Sequence, residues 1–593
     1  MKKLLMDIFS LIFAVFAFVF LFVYLQTHYM WGRVHIEQIL INLNEGLDFA
    51  SDKLIWGYVI SMALGLATAF AVSVILKTNK RLFIVSSTVC LFVLWQIGVF
   101  SYLLNKKVYS AIYETEYIFP QNLTYHFPAQ KRNLIVIYLE SGEENYATDL
   151  ETNIIPNISR LAQNNLSFEG FHQIVYQDYT IAAMIESMCA VPYRGSKLKG
   201  YEGYQNFLTS LVCYPEILQK NGYETVFIKG ADIDFARTGL FMRAHGFDVA
   251  MGASELNEKY AYPLKENKGG FGGYNDATLY KMVKEELLRL SENSKPFFLS
   301  FLTLDTHAPD YFLSPVCKDN ALGKKDIVLC GDKMLADFIG WLEAQPFYEN
   351  TTVVVLGDHP ETGINRLYPK LQNRRIINFV LNPSPDFQKV VHTGWTTLDV
   401  APTVLNAAGI SFDEKGFGLG RSIFSDKQTL YEKFGRKLET ELLKSSHVYD
   451  SFETVKNKKL PQYHLYEPLG KRVSTPQEIE YFATYAKNLF GVVFLEELSF
   501  SLPRQDKDLV LNISFKSMLS DKKKRKFKVM INGVKSGVWE ISLTDRQPIS
   551  KSVVVKANQI KDGKLSIYFE GEDFGILSDG LGVGVLNFSL SEQ

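Results

Sequence analysis

Three short segments, far apart in the chain, carry residue types that can act together. Glu140 ends Asn-Leu-Ile-Val-Ile-Tyr-Leu-Glu, Thr180 stands in Asp-Tyr-Thr-Ile-Ala-Ala-Met, and Asp358-His359 closes Thr-Thr-Val-Val-Val-Leu-Gly-Asp-His. Glu140 and the Asp358-His359 pair each follow an apolar, β-branched run, and Thr180 sits where a loop enters a helix. In an open α/β sheet the carboxyl ends of the strands border the crevice where ligands bind. Two carboxylates, one imidazole and one hydroxyl converging there make a four-ligand set suited to zinc or manganese. A hydroxyl bound to such a metal loses its proton readily and becomes a nucleophile. The expectation is an enzyme that transfers a group through a covalent threonine intermediate.

Taken singly, each residue has an ordinary structural explanation. A Thr at a helix start is commonly a cap, a carboxylate after a strand commonly bonds its own loop, and His307 alone reads as a satisfied structural histidine. His172, His245 and His392 are read as structural or supporting groups. The argument rests on the combination.

The elements that must position these residues alternate in type. Leu134–Leu139, Glu224–Ile228, Pro296–Leu304 and Thr351–Leu356 read as strands; Ile155–Asn164, Ile181–Met188, Asp276–Leu290 and Lys333–Leu342 read as helices. The strands are near-continuous apolar runs, the pattern of a sheet covered on both faces. The predicted class is α/β, a mostly parallel sheet with flanking helices. Around Leu430, Phe434, Leu438 and Leu442 a four-residue spacing predicts an amphipathic helix packed on the domain.

With 593 residues the chain is too long for one core. Its formal net charge of −1 offers no argument for nucleic acid. The apolar excess lies at the N-terminus, in runs over residues 4–25, 54–76 and 82–104, each long enough to cross a bilayer as a helix. The first run is read as an anchor rather than a cleaved signal, because no small-residue cleavage site precedes Gln26. Lys2 and Lys3, with Lys77, Lys80 and Arg81, mark the cytoplasmic side, so everything after Asn105 is placed outside; Lys106 and Lys107 are a mild exception. The expected organisation is a membrane domain over 1–105, a linker over 106–130, a catalytic domain over 131–445 and a further domain over 450–593.

Cys90 lies in the third run, and the other four cysteines form two local pairs, Cys189 with Cys213 and Cys317 with Cys330. Four cysteines allow three connectivities; nearest pairing is the simplest in an oxidising compartment. Beyond Asp450 the pattern turns to alternation, as in Leu509, Leu511, Ile513 and Phe515, with Asn532-Gly533 as a hairpin signal. A C-terminal β-sandwich is expected. The basic run Lys522–Lys526 beside it reads first as a solvated hairpin tip, and alternatively as a contact for anionic headgroups or glycan phosphates.

The stretch Asp-Tyr-Thr-Ile-Ala-Ala-Met-Ile-Glu-Ser-Met-Cys-Ala-Val-Pro resembles the nucleophile segment of the membrane-bound phosphoglycerol transferases that modify periplasmic glucans. These group with lipoteichoic acid synthases and lipid A phosphoethanolamine transferases in the alkaline phosphatase-like superfamily. The resemblance runs from about Asn133 to Phe424 and includes Ile-Tyr-Leu-Glu-Ser, Lys-Gly-Ala-Asp, Ala-His-Gly-Phe-Asp, Leu-Thr-Leu-Asp-Thr-His-Ala-Pro-Asp, Gly-Asp-His and Gly-Leu-Gly-Arg-Ser. Both cysteine pairs fit the glucan-type members. The resemblance implies an alkaline phosphatase-like fold, with Glu140, Thr180, Asp358 and His359 as ligands of one divalent metal, manganese or zinc. It makes Thr180 the nucleophile and His307 a contact of the transferred phosphate. Arg237 and Asp232 lie near where related synthases place their phosphoglycerol-binding residues. The β-sandwich is not covered.

The implied reaction moves phosphoglycerol from a phospholipid donor, phosphatidylglycerol, to a glycan acceptor: periplasmic glucan, lipopolysaccharide or capsular sugar. The implied place is the bacterial inner membrane, with the catalytic domain in the periplasm. Phosphoethanolamine transfer on the same core is the nearest alternative, and a non-catalytic membrane protein that binds glycan is the alternative of another class. A sulfatase needs a modifiable Cys or Ser in Cys/Ser-x-Pro-x-Arg, which Thr180-Ile-Ala-Ala-Met replaces.

Overall fold

The structure is a computed structural model describing residues 2–31, 36, 52–76, 78–105, 108–174, 179–193, 208, 210–233, 235–308, 311–317, 324–362, 373–386, 390, 392–414 and 416–452, together with 480–489, 492–501, 509–517, 524–532, 534–542, 549–559, 564–571 and 581–592. Of the residues named above, Lys77, Lys106, Lys107, Asp178, Pro309, Asp310, Lys522, Lys523 and Gly533 lie outside those described. The chain divides into two compact units, the first ending at Glu453 and the second chiefly Thr454–Gln593.

The apolar N-terminal runs are helical: α1 (Lys2–Trp31), α2 (Asp52–Leu76), α3 (Asn79–Gln96) and α4 (Val99–Asn105). Ile8–Met30 and Trp56–Leu76 are long and apolar enough to cross a bilayer, and they mark the chain as membrane-anchored. The third expected span, over 82–104, is not one straight helix. It breaks at Ile97-Gly98 into α3 and α4, which meet at 65°. Gly98 takes φ 76°, a left-handed conformation that ends the helical ladder and that glycine adopts at little cost.

The centre of the first unit is a six-stranded sheet: β1 (Asn133–Leu139), β2 (Glu224–Lys229), β3 (Val249–Met251), β4 (Phe297–Leu302), β5 (Thr351–Gly357) and β6 (Asn378–Leu381). The order is β3-β2-β4-β1-β5-β6, all parallel except β6, which runs antiparallel to β5 at the edge. Every residue of β4, β5 and β6 is buried, as expected for strands covered by helices on both faces. Ile135, Ile137, Leu299, Phe301, Val353 and Val355 join one core with Leu279, Met282 and Val283 of the helix Asp276–Ser291 and with Leu335, Phe338 and Ile339 of Lys324–Glu343.

The amphipathic segment near Leu430 is two short helices, Leu430–Phe434 and Lys437–Leu442, separated at Gly435 with φ 55°. Leu430, Leu438 and Leu442 are buried, so the apolar face packs on the protein. Tyr125–His126 pairs with Ser411–Phe412, which ties the segment before β1 to the same unit. In the second unit Lys524–Ile531 and Val534–Ser542 pair antiparallel, with Ile531 opposite Val534 and Asn532 at φ 46° between them. Leu509–Ser517 pairs antiparallel with both Ile549–Val555 and Leu581–Glu592.

Candidate active site

Register places the first two acids. Leu139, last in β1, lies opposite Gly357, last in β5, so the next residues, Glu140 and Asp358, leave the sheet side by side. Asp358 N donates to Leu139 O at 3.1 Å and fixes the two strand ends. The backbones can approach because both turns carry glycine. A Cβ on Gly357 would stand 2.0 Å from Gly142 O, and one on Gly142 would stand 2.6 Å from Gly357 Cα. The segment after neighbouring β4 supplies the rest of the frame: Glu140 N donates to Thr303 Oγ1 at 2.9 Å, and Thr306 Oγ1 donates to Glu140 O.

Glu140, Asp358 and His359 are 2%, 2% and 4% exposed, and one donor atom from each lies within 4.8 Å of the others. His359 Nε2 is 3.7 Å from Glu140 Oε1 and 3.4 Å from Asp358 Oδ2. His359 Nδ1 is 2.9 Å from Pro360 O, so it carries the proton there and leaves Nε2 toward the acids. Asp358 Oδ1 accepts from Ser141 N at 2.8 Å and from His359 N at 2.7 Å, whereas its buried Oδ2 has no hydrogen-bond partner among the described residues. Ser141 Oγ donates to Glu140 Oε1 at 2.9 Å. Two buried carboxylates and an imidazole nitrogen facing one point fit a divalent cation, since buried like charges need such a partner.

The electrostatics agree. Burial, and then the Asp358 charge, push the Glu140 carboxyl above the ordinary carboxylate range, against the pull of His359, Ser141 and Thr180. Burial favours neutral His359, but Asp358 and Glu140 outweigh it and raise its affinity for a proton overall. Protons and a divalent cation compete for these same atoms.

Thr180 is the first residue of the helix Thr180–Cys189 and is half-buried. It does not cap that helix: the N-cap is Tyr179, in extended conformation. Its hydroxyl instead donates to Glu140 Oε2 at 3.2 Å, which joins it to the acid cluster. The helix start directs backbone N–H groups toward the same crevice. At its other end, Cys189 is disulfide-bonded to Cys213, and Cys317 is bonded to Cys330.

His307 follows β4 in a half-buried turn closed by His307 N donating to Leu304 O at 3.0 Å. Its imidazole lies near enough to His359 to oppose protonation there. Asp232 and Arg237 lie in the segment after β2; Phe235 N donates to Asp232 O, and Arg237 takes φ 53° ahead of the helix Thr238–Ala244. Asp232 is not one of the three side chains grouped as metal donors around Glu140. His172 stacks on Tyr431 at 3.8 Å and His392 lies between Glu432 and Ser425 O, both structural placements.

Sequence reasoning passed over Ser141, Thr303 and Thr306, which orient Glu140, and Phe271, whose ring meets His307 at 4.4 Å. Ser141, Thr303 and Thr306 stand inside motifs quoted for the resemblance; Phe271 had one signal, the glycines on either side of it.

Residues 132–410 match the sulfatase family model. Within that segment lie Glu140, Asp358 and His359, the three side chains placed to hold a metal ion. Over 319 residues the chain is 33% identical to phosphoglycerol transferase I of Salmonella typhi; the match covers 52% of this chain and 41% of that protein. The chain therefore aligns with less than half the length of the curated relative. Among solved structures it is similar to the lipoteichoic acid synthase LtaP from Listeria monocytogenes (22% identity, 51% and 78% of the two chains, TM-score 0.39). It is also similar to the lipooligosaccharide phosphoethanolamine transferase EptA from Neisseria meningitidis (12% identity, 68% and 84%, TM-score 0.43).

Proposed function

We propose that this protein transfers phosphoglycerol from phosphatidylglycerol to a glycan through a covalent intermediate on Thr180. One observation carries the reading. The Thr180 hydroxyl is hydrogen-bonded to a buried acid that belongs to the Glu140, Asp358 and His359 cluster, inside a segment 33% identical to phosphoglycerol transferase I.

Glu140, Asp358, His359 and Thr180 would hold a divalent metal, manganese or zinc. When bound, it would neutralise charge on the phosphodiester and favour the ionised hydroxyl. Glu140 Oε2 orients the Thr180 hydroxyl and takes its proton. Thr180 Oγ1 forms a bond to phosphorus while the bond from phosphorus to the diacylglycerol oxygen breaks. His307, protonated, hydrogen-bonds the phosphate and gives its proton to the departing oxygen. An acceptor hydroxyl then passes its proton to His307 and forms the new bond to phosphorus, while the bond to Thr180 Oγ1 breaks and Thr180 recovers its proton from Glu140. Arg237 and Asp232 bind the glycerol part. The apolar helices hold the domain beside its lipid donor on the periplasmic face of the inner membrane, and the C-terminal strands form a β-sandwich that positions the glycan.

Thr180→Ala removes the attacking oxygen and leaves the helix start intact. Transfer should fall by on the order of a thousandfold or more, with folding and membrane insertion unchanged. Mass analysis of trapped wild-type enzyme should show one phosphoglycerol on Thr180. A phosphoethanolamine adduct would reassign the donor, and full activity in Thr180→Ala would refute the nucleophile.

A further inference from the structure

Residues 269–273 are glycine at every position except Phe271. Phe271 has φ 50°, in the left-handed region that glycine enters freely and bulky residues avoid. The one side chain in this turn therefore stands where the backbone favours its absence. The turn is held in place. Gly269 N donates to Gly273 O at 2.7 Å, and Tyr274 N donates to Gly230 O, just past β2, at 2.9 Å. A Cβ on Gly273 would meet Gly230 O at 2.5 Å, so the turn sits directly on the strand end.

The Phe271 ring meets the His307 ring edge to face, with centroids 4.4 Å apart and an angle of 68°. It lies 6.4 Å from the ring of Phe235, which opens the turn where Ala236 and Arg237 both take φ 53°. Two strained turns thus converge on the His307 side of the crevice. Strain of this kind persists where the surrounding fold imposes it, and it collects at ligand sites. The plain alternative is that Phe271 is packing for His307. The two differ in what truncation does: a packing ring lost from a core lowers stability, whereas removal of a strained functional side chain does not.

We propose that Phe271 is a specificity-determining residue whose half-buried ring forms the apolar wall for the carbon skeleton of the small phosphorylated alcohol that His307 faces. The inference rests on the phosphoglycerol reading and deepens it. An aromatic face covers the carbons of such a headgroup and leaves its hydroxyls and phosphate to polar side chains.

The test uses the full chain with vesicles of phosphatidylglycerol, comparing Phe271→Gly and Phe271→Leu with wild type and Thr180→Ala. Phe271→Gly should keep or raise Tm, because glycine accepts φ 50°, while KM for the donor rises about tenfold or more with kcat nearly unchanged. Phe271→Leu, which restores an apolar wall, should recover most of that KM. An unchanged KM in Phe271→Gly overturns the proposal whatever its Tm. A raised KM accompanied by a lowered Tm in both variants also overturns it, since that marks a packing residue. Wild type no more active than Thr180→Ala would instead bring down the transfer reading itself.

Discussion

Glu140 with Asp358, and Asp276 with Asp305, are two buried acid pairs at the carboxyl end of the same sheet. Burial drives the Glu140 carboxyl of the first pair, and both carboxyls of the second, up from the ordinary range. They differ in where their oxygens point. Asp276 accepts from Leu304 N at 2.7 Å and Asp305 N at 3.1 Å, while Asp305 Oδ2 accepts from Asp276 N at 3.2 Å and from the Ser314 hydroxyl. That pair is spent on stitching the start of the helix Asp276–Ser291 to the His307 turn. The Glu140 pair keeps lone pairs aimed at a common point and adds His359 as a third donor. Among the described residues it is the one group of three or more such side chains able to hold a metal. Buried acids do not by themselves define a centre; a third donor facing the same point does.

The comparison breaks if both pairs respond alike to substitution. Asp358→Asn should lower divalent-metal affinity by about a hundredfold or more and abolish the rise in Tm that added metal gives wild type. Asp276→Asn should leave metal content at the wild-type level. Elemental analysis of purified protein decides, and equal metal in wild type and Asp358→Asn would remove the distinction. A smaller effect tests the register that aims the first pair. Gly357→Ala puts a methyl 2.0 Å from Gly142 O and should cost about 2 kcal/mol of stability. A thermal melt matching wild type would show that the close approach of the two turns is not needed.

The long elements were legible because their signal is local. The apolar runs ending at Leu139 and Leu356 reappear as β1 and β5 with boundaries within a residue, and the 3.6-residue pattern after Asn275 reappears as the helix Asp276–Ser291. Strands β3 and β6, three and four residues long, are too short to show a period. The bend at Ile97-Gly98 was also invisible, since an apolar run fixes length but not direction. In the site, Glu140, Asp358 and His359 were visible as polar residues that end apolar runs. What no local pattern carries is the pairing of Leu139 with Gly357, a contact between residues far apart in the chain that sets which acids become neighbours. Phe271 was missed for a related reason: its meaning lies in a backbone angle and in a ring from another turn.

The smallest expected effect probes the second pair through pH. An unfolded aspartate titrates near about 3.9. Burial raises Asp276, and burial followed by the Asp276 charge raises Asp305. Above that ordinary range the native pair therefore holds more protons than the unfolded chain, so the stability it contributes is full at low pH and is lost as pH rises through the raised native values. Asp305→Asn removes one ionisable carboxyl. Its amide oxygen can still accept from Asp276 N and Ser314, and its amide nitrogen replaces Oδ1, which has no hydrogen-bond partner among the described residues. The variant should match or fall below wild type at pH 5 and exceed it at pH 8 by on the order of 1 kcal/mol, read by denaturant unfolding with divalent metal in excess. Parallel stability curves would mean that the Asp276 pair carries no like-charge stress. Burial of acids in this fold would then be costless wherever backbone donors saturate them, and the Glu140 cluster alone would need a cation to exist.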